Sequence, residues 1–128
     1  MAKWKLLVVD DEADIVEWVK RIYAERGFLT YGATNGTDAV DIFTKERPHV
    51  TLIDVHMPYS QIDGVEVLRK IKALDKDAIC IMVTRIEDKA KVDESRRLNA
   101  LRYLMKPLTL EELDKAVNDT IDIIKKRS

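Results

Sequence analysis

Five polar residues that could carry out chemistry each follow an apolar run of the chain: Asp10, Asp11, Asp54, Thr84 and Lys106. A single acid of this kind is usually an ordinary loop or cap residue. Three carboxylates about 5 Å apart would repel by about 3 kcal/mol per pair at an effective dielectric of about 20. A fold that gathers them therefore needs cations, and hard oxygen ligands suit Mg²⁺. With a lysine and a hydroxyl nearby, the set predicts an electrostatic cradle for phosphoryl transfer.

The apolar runs that precede these residues have the character of buried strands. Residues 6–9, 50–53 and 78–83 are continuously apolar, which is typical of strands covered on both faces. Residues 29–33 and 101–105 are more mixed, so we expect them at the edges of the sheet.

The segments between the strands have helical spacing and helix-end signals. Asn35 could cap one helix, residues 109–112 match a capping box, and Gly27 is placed to end the first helix. Residues 88–98 have few apolar positions among many charges, which predicts a shallowly packed, mobile helix.

Strict alternation of five strands and five helices predicts an α/β fold. The inferred architecture is a doubly wound, five-stranded parallel sheet of the flavodoxin-like type, with strand order 2-1-3-4-5 and helices on both faces. The length of 128 residues predicts one domain over residues 1–128. Ligands of such sheets bind at the carboxyl ends of the strands, where the five polar residues are expected to meet.

Composition excludes several other classes of protein. Twenty-two Lys and Arg balance 23 Asp and Glu, which argues against a nucleic-acid or anionic-membrane coat. We expect no membrane-spanning helix, because the longest uninterrupted apolar run is residues 78–83. We expect no secretion signal, because residues 1–5 lead directly into a strand-like segment. Cys80 is the one cysteine, and its apolar neighbours predict an inert buried thiol in a reducing cytoplasm.

The motifs together resemble the receiver domain of bacterial two-component response regulators, over nearly the whole chain. They are residues 8–12 (VVDDE), 52–58 (LIDVHMP), 63–64 (DG), 83–84 (VT) and 103–107 (YLMKP). The resemblance implies a stand-alone phosphoacceptor module and not an enzyme acting on other substrates.

The resemblance assigns roles at the acid cluster. Asp54 would take a phosphoryl group from a phosphohistidine. Asp11 and Asp54 would bind Mg²⁺ directly, together with the backbone carbonyl of His56, and Asp10 would hold metal-bound water. Lys106 would pair with the phosphoryl oxygens.

The resemblance also implies a route for the signal. Thr84 would move to hydrogen-bond the phosphoryl group and Tyr103 would turn inward, which alters the face formed by helix 4, strand 5 and helix 5. The peptide bond between Lys106 and Pro107 would be cis. The implied partners are a sensor histidine kinase or histidine phosphotransfer protein and an unknown downstream protein, with no nucleic acid and no membrane.

Three positions depart from the family's pattern. Residues 59–62 make the loop after strand 3 two residues longer than usual, and we expect the extra residues to change the access of a kinase or water to Asp54. Asn99 replaces a usual glycine. Arg85 stands where a small residue is usual. We predict that Arg85 shields the phosphoryl group from water, and the alternative is a solvated arginine without effect.

The sequence lacks the patterns of two other phosphate- or nucleotide-handling classes. A phosphatase of the haloacid dehalogenase type needs Asp-x-Asp after strand 1 and a cap domain, and a dinucleotide-binding module needs Gly-x-Gly-x-x-Gly there. Neither pattern occurs at residues 8–14. With helix 5 expected to run to about Lys126 and the sequence ending at Ser128, no output domain is expected, so the chain would be a chemotaxis-like effector, a phosphorelay intermediate or a receiver cut from a longer protein. His49 is expected at the surface and Trp18 in packing.

Overall fold

The structure, a computed structural model, describes residues 3–127, so both ends of the predicted 1–128 domain lie outside the described residues. The strands are β1 Lys5–Val9, β2 Leu29–Ala33, β3 Val50–Asp54, β4 Cys80–Thr84 and β5 Arg102–Met105. The helices are α1 Ala13–Glu25, α2 Gly36–Glu46, α3 Gly64–Leu74, α4 Lys89–Arg96 and α5 Leu110–Arg127, with a 3-10 turn at Ile86–Asp88.

The five strands form one parallel sheet in the order β2-β1-β3-β4-β5, as predicted. Every residue of β3 and β4 is buried, whereas the edge strands β2 and β5 are partly open to solvent. The register pairs Val9 with Ile53, Asp54 with Val83 and Thr84 with Met105. The strands therefore end at nearly the same height in the sheet, and the loops that follow them meet at its carboxyl edge.

Two apolar layers cover the sheet, because neighbouring strand residues point to opposite faces. Leu7 and Ile53 belong to the cluster that includes Phe43 of α2 and residues of α3. Leu6 belongs to the other cluster, which includes Leu113 and its neighbours in α5 and residues of α1. Helices thus lie on both faces, as the alternation of strands and helices predicted.

The helix ends follow the predicted signals. The backbone N–H of Asp38 donates to the Asn35 side chain at 2.9 Å, and Gly27 adopts a positive φ of 91° just after α1. The backbone N–H of Glu112 donates to Thr109 Oγ1 at 3.2 Å. These contacts satisfy groups that a helix end would otherwise leave without a partner.

Helix α4 is the weakly packed helix that the sequence predicted. It has eight residues, and Ser95 is the one that is buried. Ion pairs attach it to α3: Lys91 pairs with Asp63, and Arg69 pairs with Glu94 at 3.0 Å. Its mobility stays a prediction.

The prediction that Trp18 packs in the core was wrong, and the prediction that His49 lies at the surface holds only in part. Trp18 is 36% exposed, because the buried face of α1 runs through Val16, Val19 and Tyr23 instead. His49 is half-buried: its Nδ1 accepts the backbone N–H of Lys5 at 2.9 Å.

Candidate functional site

The three acids named from the sequence form one cluster at the carboxyl edge. Asp10 and Asp11 lie directly after β1, and Asp54 is the last residue of the adjacent β3. One carboxylate oxygen from each lies within 4.8 Å of the others. Asp10 and Asp54 are buried, and Asp11 is half-buried. The parallel register of β1 and β3 brings residues 44 positions apart into this cluster.

A glycine fixes the backbone beneath Asp54. A Cβ atom added to Gly64 would lie 2.0 Å from the carbonyl oxygen of Asp54, so the first turn of α3 can pack here only without a side chain. The Gly64 N–H donates to the Val55 carbonyl at 3.2 Å, and the His56 N–H donates to Asp54 Oδ1 at 3.2 Å. These contacts hold the carboxylate at the end of the strand.

Lys106 supplies the cation that faces the acids. Its Nζ lies 3.0 Å from Asp10 Oδ2, 3.0 Å from Glu12 Oε2 and 3.2 Å from Asp54 Oδ2. The Lys106-Pro107 peptide bond is cis, as the resemblance implied. Sequence reasoning missed Glu12 as a partner, although a third acid directly after the acid pair was the signal that could have found it.

The electrostatics of the cluster are unbalanced. Burial raises the pKa of Asp54 from 3.8 to about 7, and the charge of Asp10 adds to this shift against the opposing effect of Lys106. Burial also opposes the charge of Lys106, but the hydrogen bonds that its ammonium donates to the Asp10 and Glu12 carboxylates raise the Lys106 pKa above its usual value. One ammonium does not fully compensate the acids, so the site favours a second cation.

The donor set fits a divalent cation. The cluster of Asp10, Asp11 and Asp54 offers hard carboxylate oxygens, and no softer nitrogen or sulfur ligand belongs to it among the described residues. Mg²⁺ prefers such oxygens and keeps coordination positions for water and phosphate. The cluster could therefore hold a metal ion, and the role of the His56 carbonyl stays a prediction.

Thr84 lies at the end of β4, but its hydroxyl forms hydrogen bonds with Arg85 and Asp88 and none with Asp54. Its Oγ1 donates to the Arg85 carbonyl at 3.1 Å and lies 3.5 Å from Asp88 Oδ2. Asp88 is buried and accepts the backbone N–H of Arg85 at 2.8 Å. The Thr84 hydroxyl is therefore bonded within its own loop.

Tyr103 connects the sheet to α4. Its hydroxyl lies 2.8 Å from Ser95 Oγ, and the Arg96 guanidinium lies over its ring at 5.0 Å. The ring packs against the apolar cluster on the α3 side of the sheet. Sequence reasoning did not identify Ser95 as its partner.

An open groove of about 880 Å³ borders Lys106. Its apolar lining includes Ile15, Trp18, Ile86 and Pro107, and Arg85 also lines it. The exposed tryptophan therefore lines the groove that borders Lys106.

The lengthened loop after β3 is anchored to α2. The backbone N–H of Gly36 donates to Ser60 Oγ at 2.8 Å, and Ile62 packs so closely on Gly36 that a Cβ there would lie 2.5 Å from Ile62 Cγ1. Tyr59 is 96% exposed. The predicted effect of this loop on access to Asp54 stays a prediction.

Comparison with known proteins defines the class to which this fold and site belong. Residues 6–118 match the family described as the response regulator receiver domain. The chain belongs to this family of two-component signalling domains.

Among its relatives, the chain is 35% identical over 117 residues to sporulation initiation phosphotransferase F of Bacillus subtilis (strain 168), covering 91% of this chain and 93% of that protein. It is 29% identical over 119 residues to chemotaxis protein CheY of the same organism, covering 92% and 98%. Other matched relatives are longer, and the chain covers 25% to 52% of their length.

Solved structures share the fold. A response regulator receiver domain protein from Clostridium thermocellum matches with a TM-score of 0.89 and 29% identity, over 98% of this chain and 99% of that one. Within residues 3–127, no helix has the length and apolar character needed to cross a membrane.

Proposed function

We propose that this chain is a phosphoacceptor signalling module in which Asp54 receives a phosphoryl group from a phosphohistidine. An oxygen of the Asp54 carboxylate attacks phosphorus, and the P–N bond to the imidazole breaks. The electron pair goes to the imidazole nitrogen, which takes up a proton from water. The product is an aspartyl phosphate, and the chain promotes its own phosphorylation and dephosphorylation only.

The observation that carries this proposal is the pairing of one buried carboxylate with a half-buried ammonium inside an acid cluster. Asp54 is fully buried, and Lys106 Nζ lies 3.2 Å from its Oδ2. Phosphoryl transfer depends on positioning and on neutralising charge at the transferred oxygens. Lys106 is placed to supply part of this neutralisation.

The residues assigned to metal binding are Asp10, Asp11 and Asp54, with the backbone carbonyl of His56. Bound Mg²⁺ would neutralise charge on the phosphoryl oxygens. Asp54 has its pKa raised to about 7, so a nearby cation favours the carboxylate form that attacks phosphorus.

The proposed donor is a sensor histidine kinase or a histidine phosphotransfer protein. Such a partner must bring its histidine to Asp54, and the apolar groove beside Lys106 offers it a surface. Exposed Trp18 and Ile86 supply the apolar area, and aromatic residues are frequent binding hot spots. We assign the module to the cytoplasm, where buried Cys80 stays reduced.

The proposed output is a conformational change. Once phosphorylated, Asp54 attracts the Thr84 hydroxyl away from its own loop, and Tyr103 and α4 follow. The Thr84 loop leads directly into α4, and the hydrogen bond between Tyr103 and Ser95 ties α4 to β5. The altered face of α4, β5 and α5 would be recognised by a downstream protein.

Labelling with acetyl phosphate tests the proposal. We expect an acid-labile adduct of about 80 Da that forms only with Mg²⁺, as one phosphoryl group requires. Asp54→Asn should not be labelled. A matched control is Asp11→Asn, which keeps Asp54 but weakens the metal site and should slow labelling. Full labelling of Asp54→Asn, or full labelling of the wild type in EDTA, would contradict the proposal.

A further inference from the structure

The ammonium of Lys106 is surrounded by three carboxylates: it donates hydrogen bonds to Glu12 and Asp54 and forms an ion pair with Asp10. Asp10 and Glu12 each lie 3.0 Å from Nζ, and Asp54 lies 3.2 Å from it. A lysine ammonium donates three hydrogen bonds and accepts none. A phosphoryl oxygen that pairs with Lys106 therefore competes with these three carboxylates for the ammonium.

Exposure distinguishes the partner that can leave. The Glu12 side chain is 53% exposed, whereas the side chains of Asp10 and Asp54 are 3% and 0% exposed. Asp10 is also held through Oδ1, which accepts the Glu12 backbone N–H at 2.9 Å. Glu12 can rotate into water, while either aspartate would become a buried charge without its cation.

We propose that Glu12 is an intramolecular competitor of the phosphoryl group for Lys106, and so a brake on phosphorylation of Asp54. This inference rests on the proposed function and adds a regulating residue to the same site. Glu12 acts through Lys106: it occupies a donor that the incoming phosphoryl group needs, and it leaves when that group arrives.

Glu12 is a carboxylate when it competes. The hydrogen bond and charge of Lys106, with a smaller contribution from Arg85, hold the pKa of Glu12 below its usual value. The competitor is therefore fully ionised at neutral pH. Because the Glu12 side chain is half-exposed, its pairing with Lys106 has the strength of a surface ion pair, so releasing it should change rates roughly two- to fivefold.

A charge-matched pair of variants tests the brake. Glu12→Gln removes the charge that pairs with Lys106 and preserves the size of the side chain. Glu87→Gln makes the same change in net charge in the same groove, at an exposed residue that forms no ion pair with Lys106. Both are labelled with acetyl phosphate at saturating Mg²⁺, and the initial rate of Asp54 labelling is measured.

We expect Glu12→Gln to be labelled roughly two- to fivefold faster than the wild type. Glu87→Gln should stay close to the wild-type rate. Binding of beryllium fluoride, a phosphoryl mimic, at saturating Mg²⁺ gives an equilibrium readout, and Glu12→Gln should bind it tighter by a similar factor. Glu12→Ala should change both quantities in the same direction. Melting temperatures monitor folding of every variant.

Two results overturn the brake. In the first, Glu12→Gln and Glu12→Ala are labelled no faster than Glu87→Gln. In the second, both variants bind beryllium fluoride no tighter than the wild type. Failure of the proposed function is distinguishable, because the wild type itself would then carry no label on Asp54.

Discussion

Helices α4 and α5 follow the neighbouring strands β4 and β5, but different interactions hold them. The 18-residue α5 buries Leu113, Ala116 and Val117 against the sheet and α1. The eight-residue α4 buries only Ser95 and is attached by exposed ion pairs such as Arg69–Glu94. Exposed ion pairs stabilise by about 0–1 kcal/mol each, whereas burying a large apolar side chain contributes about 1.5–3 kcal/mol.

The difference indicates which helix can respond to chemistry at Asp54. Helix α4 continues from the loop that contains Thr84 and Arg85, and its one buried side chain is bonded to Tyr103. A rearrangement of that loop reaches α4 at little cost, because few apolar contacts must break. Helix α5 is expected to stay in place and serve as the fixed part of the signalling face.

The largest effect is expected from one substitution made in both helices. Val117 of α5 is buried and Val92 of α4 is half-buried. Val117→Ala should lower the free energy of unfolding by about 2 kcal/mol, because it removes buried methyl groups and leaves a cavity. Val92→Ala should cost less than about 1 kcal/mol. Urea denaturation measures both, and equal losses would remove the contrast between the helices.

An effect of intermediate size concerns pH and Mg²⁺ at the site. The pKa of Asp54 is about 7 in the fold, against an ordinary 3.8, so between these values the folded protein binds more protons than the unfolded chain. The contribution of this group to the free energy of unfolding is fully present below about pH 4 and is lost as the pH rises towards 7. Mg²⁺ bound at the acid cluster would take the place of the proton on Asp54.

The gain in melting temperature with Mg²⁺ should therefore be larger at pH 8 than at pH 6. At pH 8 and ten times its dissociation constant, Mg²⁺ should stabilise the fold by about 1.4 kcal/mol. In Asp54→Asn, the gain in melting temperature with Mg²⁺ should depend little on pH. Asp11→Ala should lose most of that gain. An unchanged Mg²⁺ shift in Asp11→Ala would place the metal elsewhere.

The sequence predicted the parts of the molecule that follow from local pattern. Continuous apolar runs before Asp10 and Asp54 indicated buried parallel strands, and parallel strands bring their carboxyl ends together. The strand order and the clustering of the acids follow from this. The low apolar content of residues 88–98 likewise predicted that α4 packs weakly.

The sequence could not predict contacts that depend on side-chain direction or on distant loops. Helical spacing did not resolve that Trp18 faces outward while its neighbour Val19 is fully buried. The partner of Glu12 is Lys106, which lies 94 positions away on another loop. The bond between Ser95 and Tyr103 depends on how α4 is placed against β5, which no local pattern specifies.

The smallest effect is expected at Arg85, on the loop that leads into α4. Arg85 is half-buried and lines the groove beside Lys106, so it could shield the phosphoryl group from water and pair with it. Arg85→Ala should lose the phosphoryl group severalfold faster than the wild type. The charge-matched control is Arg97→Ala, at an exposed residue just after α4, which should lose the phosphoryl group at the wild-type rate. Phosphate release measures the decay, and equal or slower loss in Arg85→Ala would refute shielding.

Hydrogen–deuterium exchange with and without beryllium fluoride tests most directly whether chemistry at Asp54 moves α4 and leaves α5 in place. In the presence of Mg²⁺, we predict that the mimic changes exchange severalfold in the Thr84 loop and α4, while the buried turns of α5 around Val117 keep their protection. Asp54→Asn should show no change. Equal changes in α4 and α5, or unchanged exchange in α4 of the wild type at saturating beryllium fluoride, would contradict the account.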